Sequence, residues 1–414
     1  MIFKVYRLTV AFITVLCLTV SATYAKSIRD FDVTPAHSAA QNKINLQKAI
    51  DWASLQGAAL TVDPSETPYR IDGGIILRTN VSLIGVHGPT ARGTSHPTKA
   101  QPVGSVFAIT DQKHPFITVQ SATQIKGIQF WYPEQSLYDP TTIIPYPATI
   151  QVSKTTSTQG VYLSCLTFYG EYLAMDFNAS PEYICELMTF EHCYGYPLSG
   201  EFIRMNYCYD IPRILHCHVN PAVQRFIGGQ VNRAVIDTVL AKKTFTYNIN
   251  HTDNAQLIDL FTFGVYGGIM LGEASYGQLT NFNFDCVAVG IHRKGDNAFN
   301  RNWQLSQGSI IANCGEAVKD IHPIIIEGQG HTSLSNVEAF SGGNGALNTV
   351  PQNQSWDYML VKGDRKLTIS LFGCRMRNYM ADAPFTIRNR HALIQAVGCI
   401  DKDQSLYNVI LPAP

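Results

Sequence analysis

The feature that most constrains the fold is a repeat of short apolar stretches, each followed by a small residue. The repeats align on the leucines Leu257, Leu279, Leu334 and Leu367. Small-residue slots at matching places hold Cys193, Cys217, Cys286, Cys314, Cys374 and Cys399. The step from Cys193 to Cys217 is 24 residues, and the step from Cys217 to Cys286 is 69, or three intervals of 23. A period in the low twenties predicts a solenoid of short strands, whose coils stack about 4.8 Å apart.

The slot cysteines are predicted to form one internal column of small side chains. Nine cysteines remain after Cys17 is set aside within the leader, and an odd number cannot pair completely. Free cysteine behaves as a small residue that is readily buried. The sequence therefore favours a structural role for these residues over a disulfide framework.

One segment near the start of the chain has a helical pattern. Residues 41–56 place Leu46, Ala49, Ile50 and Ala53 on one face, and Gly57 is a suitable stop. An open solenoid end exposes strand edges and an apolar cross-section, so this helix is predicted to be an N-terminal cap. A β-sandwich or jelly roll is the chief rival fold, but the two-residue hairpin turns that it needs are few.

Residues 1–25 have the features of a secretory leader. Lys4 and Arg7 precede an apolar run from Leu8 to Val20, and the small residues that end it predict cleavage after Ala25. The run is 13 residues long, which is short for a membrane span. We therefore expect a secreted protein, extracellular or periplasmic, with residues 26–414 forming one domain. The 31 basic and 31 acidic residues give no support for nucleic-acid binding.

The N-terminal part of the chain resembles the pectate-lyase-like superfamily of right-handed parallel β-helices. The resemblance rests on Asn45–Gly88, with a helix, a strand, a proline-bounded turn and an "L-x-G" coil, and continues through Gly104–Ile109 and Ile125–Phe130. The acidic stretch that often precedes the helix in this family is absent from Pro35–Asn45. The resemblance implies an all-β, right-handed parallel β-helix with a helical cap. It also implies a secreted protein that acts on an acidic, uronate-containing polysaccharide.

Two candidate sets could carry the chemistry of polysaccharide cleavage. Similarity to polygalacturonase-like hydrolases of this superfamily implies a set that runs in order through Asp253, Asp285, His331 and Arg365. A hydrolase needs two carboxyl groups flanking the scissile bond. A lyase needs a base and a group that steadies the developing charge, and Glu201, Arg204, His292 and Lys294 are of suitable types. The competing interpretation of both sets is that they are solvated loop charges.

The stretch "RILHCHVN" contains His216 and His218, which strand alternation places on the face opposite Cys217. A structural row on the flank, contact with substrate and metal binding are the three interpretations. No metal-binding spacing of the familiar kinds is present, so the sequence predicts no metal site. Alternation likewise buries Phe130 and Tyr132 and turns Trp131 outward, where it could stack on a sugar.

Function remains divided at this level between two classes of protein. The first is an enzyme that cleaves an acidic polysaccharide by hydrolysis or β-elimination. The second is a non-catalytic carbohydrate-binding or surface protein, because the fold alone does not choose a function. No cofactor is predicted, although Ca²⁺ is the one to consider for a lyase. A polysaccharide is the expected partner, no membrane span is expected, and the oligomeric state is left open.

Overall fold

A computed structural model describes residues 25–89, 101–227, 229–295, 302–313, 318, 321–340 and 356–412. Cys314 and residues 1–24 of the leader segment, which include Cys17, lie outside the described residues. The chain forms a parallel β-helix with an N-terminal helical cap, as the sequence predicts. Consecutive coils pair in parallel through long registers, for example Gln256 with Gln278 and then Gln304.

Two sheets run along the β-helix, and we number the strands in chain order. Within the described residues, sheet 1 has 22 strands. They are β1 (Ala25–Ser27), β2 (Ala59–Thr61), β3 (Tyr69–Arg70), β5 (Ser82–Ile84), β6 (Val106–Ala108), β8 (Thr123–Lys126), β9 (Gln129–Trp131), β11 (Thr158–Tyr169), β13 (Cys185–Gly195), β15 (Cys208–Tyr209), β16 (Arg213–Leu215), β17 (His218–Val219), β19 (Ala255–Ile258), β20 (Phe261–Phe263), β22 (Gly277–Thr280), β23 (Asn283–Val287), β25 (Trp303–Ala312), β27 (Gly330–Phe340), β29 (Leu367–Phe372), β30 (Arg375–Met376), β32 (Ala392–Ile400) and β33 (Leu406–Pro412).

Sheet 2 is entirely parallel and has 11 strands in the described part of the chain. They are β4 (Ile75–Leu77), β7 (Ile117–Val119), β10 (Ile150–Val152), β12 (Met175–Asn178), β14 (Ile203–Asn206), β18 (Phe245–Ile249), β21 (Gly267–Leu271), β24 (Val289–Gly295), β26 (Ile324–Gly328), β28 (Met359–Val361) and β31 (Phe385–Ile387). Alternate residues of these strands are buried, which leaves one polar face outward.

Sheet 1 bends at one fixed position in successive coils, where the backbone takes positive φ. The bend divides each coil of this sheet into two segments. The residues at the bend have φ between 51° and 68°, and they are Gly127, Cys165, His192, His216, Asp259, Asn281, Gln307, Asn336, Gly373 and Gly398. Glycine adopts this left-handed conformation at low cost, and asparagine, aspartate and histidine are the other residues enriched in it, whereas cysteine and glutamine are not.

The predicted single column of cysteines is wrong in part. Cys193 lies beside Cys217 in register, and Cys374 lies next to Cys399. The positions between those pairs hold Leu260, Phe282, Gly308 and Val337. Cys286 sits instead at a different bend, in register with Gly264. Likewise Leu371, four residues after Leu367, continues the register of Leu334. The cause is that the coils vary in length, so a constant period drifts out of register.

The expectation of free cysteines agrees with the structure. No disulfide joins any of the cysteines in the described residues, and all of these except Cys165 are buried. Within the segment after the bend, the Cys217 Sγ–H donates to the Leu215 carbonyl at 3.5 Å. These thiols act as small core side chains.

The N-terminal cap is the helix α1 (Ala39–Gln56), which begins two residues before the predicted start. Ser38 caps its N-terminus, and Gly57 ends it at φ 61°. The four predicted apolar residues are buried in one cluster with the first strands of the β-helix. The helix therefore covers the open end of the solenoid.

A second helix, α2 (Arg233–Ala241), was not predicted from the sequence. Asn232 caps it, and Val235, Ile236, Val239 and Leu240 are its buried residues. These buried positions follow helical spacing, in a segment for which no helix was predicted. At the opposite end of the chain, β33 pairs antiparallel with β32 and ends the parallel stack. No helix in the described ranges combines the length and apolarity needed to cross a membrane.

Gly308 shows how tightly the interior is packed. A Cβ placed on this residue would lie 2.1 Å from the ring atom Cζ of buried Phe282 in the preceding coil. Gly308→Ala is expected to lower the free energy of unfolding by about 1–3 kcal/mol, because the ring must move within a packed core. Urea unfolding measures the change. Gly88→Ala is the matched control, since nothing lies within 4 Å of its added Cβ. Equal stability of the two variants would refute this packing argument.

Candidate functional site

The outer surface of sheet 2 carries an aligned set of polar side chains, which we call the sheet 2 face. Strand alternation turns them outward because their neighbours along each strand fill the interior. The face consists of Asp176, Asn178, Arg204, Asn206, Asn248, Asn250, His292, Lys294, Glu327 and Lys362. Neighbouring coils thus bring together residues that are far apart in the sequence.

The predicted pair Glu201 and Arg204 lies at the centre of this face. Arg204 donates to one carboxylate oxygen of Glu201, and Asn248 Nδ2 donates to the other at 3.0 Å. Arg204 is in register with Asp176 on the preceding strand. Burial lowers the pKa of Arg204, but the hydrogen bond and charge of Glu201 together with the charge of Asp176 raise it above its ordinary value. Arg204 is therefore a fixed cation held between two acids.

Three asparagines form a row beside Arg204 and orient a histidine. Asn178, Asn206 and Asn250 occupy equivalent positions on successive coils. Asn206 Nδ2 donates to Asn178 Oδ1 at 2.9 Å, which leaves Asn206 Oδ1 to accept from His251 Nδ1 at 2.9 Å. Since an amide oxygen only accepts, the proton of neutral His251 lies on Nδ1 and the lone pair on Nε2.

Tyr207 also contacts His251. Its ring stacks on the imidazole with a centroid distance of 4.3 Å and an interplanar angle of 15°. Tyr207 has φ 52° and His251 has φ 40°, so both residues lie at a bend of the backbone. The imidazole is held both by its hydrogen bond and by the stacked ring. An imidazole oriented in this way beside a fixed arginine is suited to removing a proton from a bound anion.

Further along the face, Glu327 contacts a histidine and a lysine. His292 Nε2 lies 3.1 Å from Glu327 Oε1, and Lys362 Nζ lies 3.0 Å from Oε2. Burial alone would raise the pKa of Glu327, but the hydrogen bonds and charges of His292 and Lys362 lower it to about 2. Glu327 is consequently ionised at neutral pH and is unsuited to act as a general acid.

Acids and cations differ in how far they reach toward solvent on this face. The acidic side chains of Asp176, Glu201 and Glu327 are 16%, 11% and 17% exposed. The cationic side chains of Lys154, Arg204 and Lys362 are 45%, 34% and 38% exposed. Lys294 is exposed as well. The outermost charges of the sheet 2 face are therefore positive.

The predicted hydrolase set is spread over different parts of the molecule. Asp253 precedes β19 and His331 lies near the start of β27, three coils further on. Asp285 lies beyond the bend of sheet 1, in register with Ile311. Arg365 is exposed in the turn before β29. These four side chains do not converge, so they do not form the pair of facing carboxyl groups that hydrolysis needs.

His331 does line a cavity of its own. This cavity has a volume of about 400 Å³, and its other lining residues are Asn302, Gln329, Gly330, Lys366 and Thr368. His331 Nε2 lies 3.0 Å from Ser370 Oγ, and burial lowers the pKa of this imidazole.

Three further predicted residues lie away from the sheet 2 face. His218 follows the bend of sheet 1 and stacks on Phe261 at 4.2 Å, while His216 is at the bend itself. Trp131 is half-buried and lines a cavity of about 290 Å³ together with Tyr169 and Gln224. Phe130 and Tyr132 are buried, as predicted. A role for any of these residues in binding sugar remains a prediction.

His251 is the residue that sequence reasoning missed. It lies in the stretch "NHTDN", from which only the acid, Asp253, belongs to the predicted hydrolase set. The recurrence of asparagine at 178, 206 and 250, at steps of 28 and 44 residues, carries the signal. These asparagines can be recognised as equivalent positions only when the coil boundaries are known.

Calcium does not fit this face. Each acid contacts a cation: Asp176 faces Lys154 at 3.7 Å, Glu201 faces Arg204, and Glu327 faces His292 and Lys362. Calcium needs six to eight oxygen ligands, with several supplied by converging carboxylates. No step of a mechanism is therefore assigned to this ion.

Comparison with known proteins supports the fold. No protein-family model and no curated protein matches the chain. Among solved structures, the tailspike protein of E. coli bacteriophage HK620 is 10% identical, with 91% of this chain and 65% of that chain covered and a TM-score of 0.52. A DFA-IIIase variant from Arthrobacter chlorophenolicus in complex with DFA-III is 10% identical, with coverages of 92% and 87% and a TM-score of 0.50.

A third similar structure is gene product 12 of bacteriophage phi29. It is 8% identical, with 94% of this chain and 54% of that chain covered and a TM-score of 0.47. The chain thus spans 54% and 65% of the two phage proteins. At such low identities the likeness concerns the fold alone.

Proposed function

We propose that the chain binds an acidic polysaccharide along the sheet 2 face and cleaves it by β-elimination. The observation that carries the proposal is the oriented imidazole of His251 beside the fixed cation Arg204. Arg204 and Asn206 point outward from one strand two residues apart, a span of about 6.6 Å. A uronate whose carboxylate pairs with Arg204 therefore has its ring beside the His251 imidazole, which Asn206 orients.

The bond changes of this reaction assign a role to each residue. His251 Nε2 takes the proton α to the uronate carboxylate, and Arg204 stabilises the negative charge that moves onto that carboxylate. The electron pair then forms the C4–C5 double bond as the C4–O glycosidic bond breaks. Water supplies a proton to the leaving oxygen, which becomes a new chain end, and the hydroxide that remains takes the proton from His251, which restores the base. The other product carries an unsaturated uronate.

The remaining groups of the face suit recognition of a polymer. Asparagine amides both donate and accept hydrogen bonds, so the row beside Arg204 can pair with sugar hydroxyl groups. Lys294 and Lys362 continue the positive charge over further coils, where they can meet further carboxylates. The leader-like segment at residues 1–25 supports an exported protein that meets such polymers outside the cytoplasm.

The proposal is tested by incubating the purified protein with pectin, rhamnogalacturonan, alginate and glycosaminoglycans. New reducing ends together with ultraviolet-absorbing unsaturated ends are the expected result on at least one acidic polymer. Reducing ends without ultraviolet absorption would instead indicate hydrolysis. If neither product forms from any of these polymers, the protein does not cleave them, and the result would favour a binding protein.

A further inference from the structure

A cluster of potential metal ligands lies at the bend of sheet 1, on a different face from the proposed polysaccharide site. Glu191, His192 and His216 each place one potential ligand atom within 4.8 Å of the others. His192 and His216 occupy the same position on neighbouring coils, and their rings stack at 4.9 Å. Glu191 Oε1 lies 3.9 Å from His192 Nε2. All three side chains are partly exposed, so an ion can reach them.

Each of these side chains has its other polar atom held by a separate partner. Glu191 Oε2 accepts a hydrogen bond from the Tyr162 hydroxyl. His192 Nδ1 contacts the Tyr194 hydroxyl at 3.3 Å. His216 Nδ1 donates to Asp259 Oδ2 at 2.9 Å. These contacts leave Glu191 Oε1 and the two Nε2 atoms as the converging set.

Such outer contacts are what metal-binding side chains have in proteins. A ligating histidine usually donates its other ring N–H to a carboxylate or similar acceptor, which fixes the tautomer and directs the lone pair to the metal. Two imidazoles and one carboxylate form the donor set of many three-ligand zinc sites, in which water takes the fourth position. Calcium and magnesium, by contrast, prefer oxygen ligands.

We propose that Glu191, His192 and His216 bind a divalent transition-metal ion of the zinc class, with Asp259 orienting His216. Ligand atoms around tetrahedral zinc are about 3.3 Å apart, as follows from bonds of about 2.0–2.1 Å. Because the ligand atoms already lie within 4.8 Å of one another, binding requires the two imidazoles to turn out of their parallel stack and any two ligand atoms to approach by at most about 1.5 Å. Because the rings are partly exposed, no core packing opposes that movement.

The proposal is tested by titrating the full chain with Zn²⁺ in a calorimeter, and with Co²⁺ while its visible absorption is recorded. The wild type is expected to bind one equivalent that His216→Ala loses. His218→Ala is the matched control, since His218 lies two residues away and is outside the cluster; it should bind as the wild type does. Asp259→Asn should weaken the affinity about 10- to 100-fold, as loss of an orienting partner does.

Two outcomes would overturn this proposal. One is the absence of a saturable Zn²⁺ or Co²⁺ site in the wild type. The other is equal binding by His216→Ala and the wild type, which would place the ion elsewhere. Circular dichroism melting of the metal-free variants shows that they are folded. The metal titrations do not depend on activity toward polysaccharides. Their outcome is therefore independent of the proposed function.

Discussion

His251→Ala is expected to lower kcat for β-elimination by about 10²–10⁴-fold, the usual contribution of a positioned general base. The fall should appear in kcat more than in KM, because Arg204 and the asparagine row still bind the substrate. The rate is measured from the ultraviolet absorption of the unsaturated product. Added imidazole should restore part of the rate, since it can occupy the space left by the side chain and act as the base.

His37→Ala is the matched control for this variant. His37 is a partly exposed histidine at the N-terminal end, beside Asp32. Its loss should leave kcat unchanged. A His251→Ala protein that is folded and retains the full rate would show that another group is the base.

Glu171→Gln is expected to stabilise the protein near neutral pH. The Glu171 side chain is fully buried, and a Cβ on Gly195 would lie 2.3 Å from its Oε1, so only glycine leaves it room. Burial raises the pKa of Glu171 well above its ordinary value, against the backbone N–H groups of Glu171 and Tyr196, which lower it. Glutamine keeps the size of the side chain and removes the ionisable group.

The sign of the pH dependence follows from proton binding. Above the pKa of the unfolded chain, about 4.3 for glutamate, the folded state keeps a proton that the unfolded state has released. Stability therefore falls as pH rises, by about 1.4 kcal/mol for each unit by which the folded pKa exceeds the unfolded one. Below that pH the wild type and Glu171→Gln should approach equal stability.

Urea unfolding at pH 4 and pH 7 measures the effect. The stability gained by Glu171→Gln should be larger at pH 7 than at pH 4. Glu66→Gln, at an exposed position, serves as the control and should change neither value. If Glu171→Gln instead lost stability, and lost more at pH 7 than at pH 4, the side chain would be an ionised, paired carboxylate in the fold.

The architecture could be predicted from the sequence because a solenoid repeats its signal in every coil. The period near 23 residues, the helix face of Leu46 and Ile50, and the burial of the cysteines are properties of single coils or of near neighbours. The register between distant coils is harder to predict, because differences in coil length add up along the chain. The loops vary in length between coils. As a result, Cys286 and Leu367 do not occupy the positions that a constant period predicts for them.

The candidate site could be predicted only in part for the same reason. Glu201 and Arg204 are close in sequence and were selected together. His251 contacts Asn206 across 45 residues, and no local pattern connects the two. Metal binding was one interpretation of His216 and His218 in "HCH", but the stacking of coils instead groups His216 with Glu191 and His192 and leaves His218 outside the cluster.

The central claim is that the sheet 2 face recognises the carboxylates of an acidic polysaccharide, with Arg204 as the principal contact. Its most direct test is the affinity of wild type and Arg204→Gln for a uronate oligomer that the protein binds, and for the same oligomer after its carboxyl groups are reduced to alcohols. The account predicts that Arg204→Gln weakens binding of the acidic oligomer about 10- to 100-fold, as loss of a charged hydrogen bond does, and leaves binding of the reduced oligomer unchanged. Equal binding of the acidic oligomer by both proteins would contradict it.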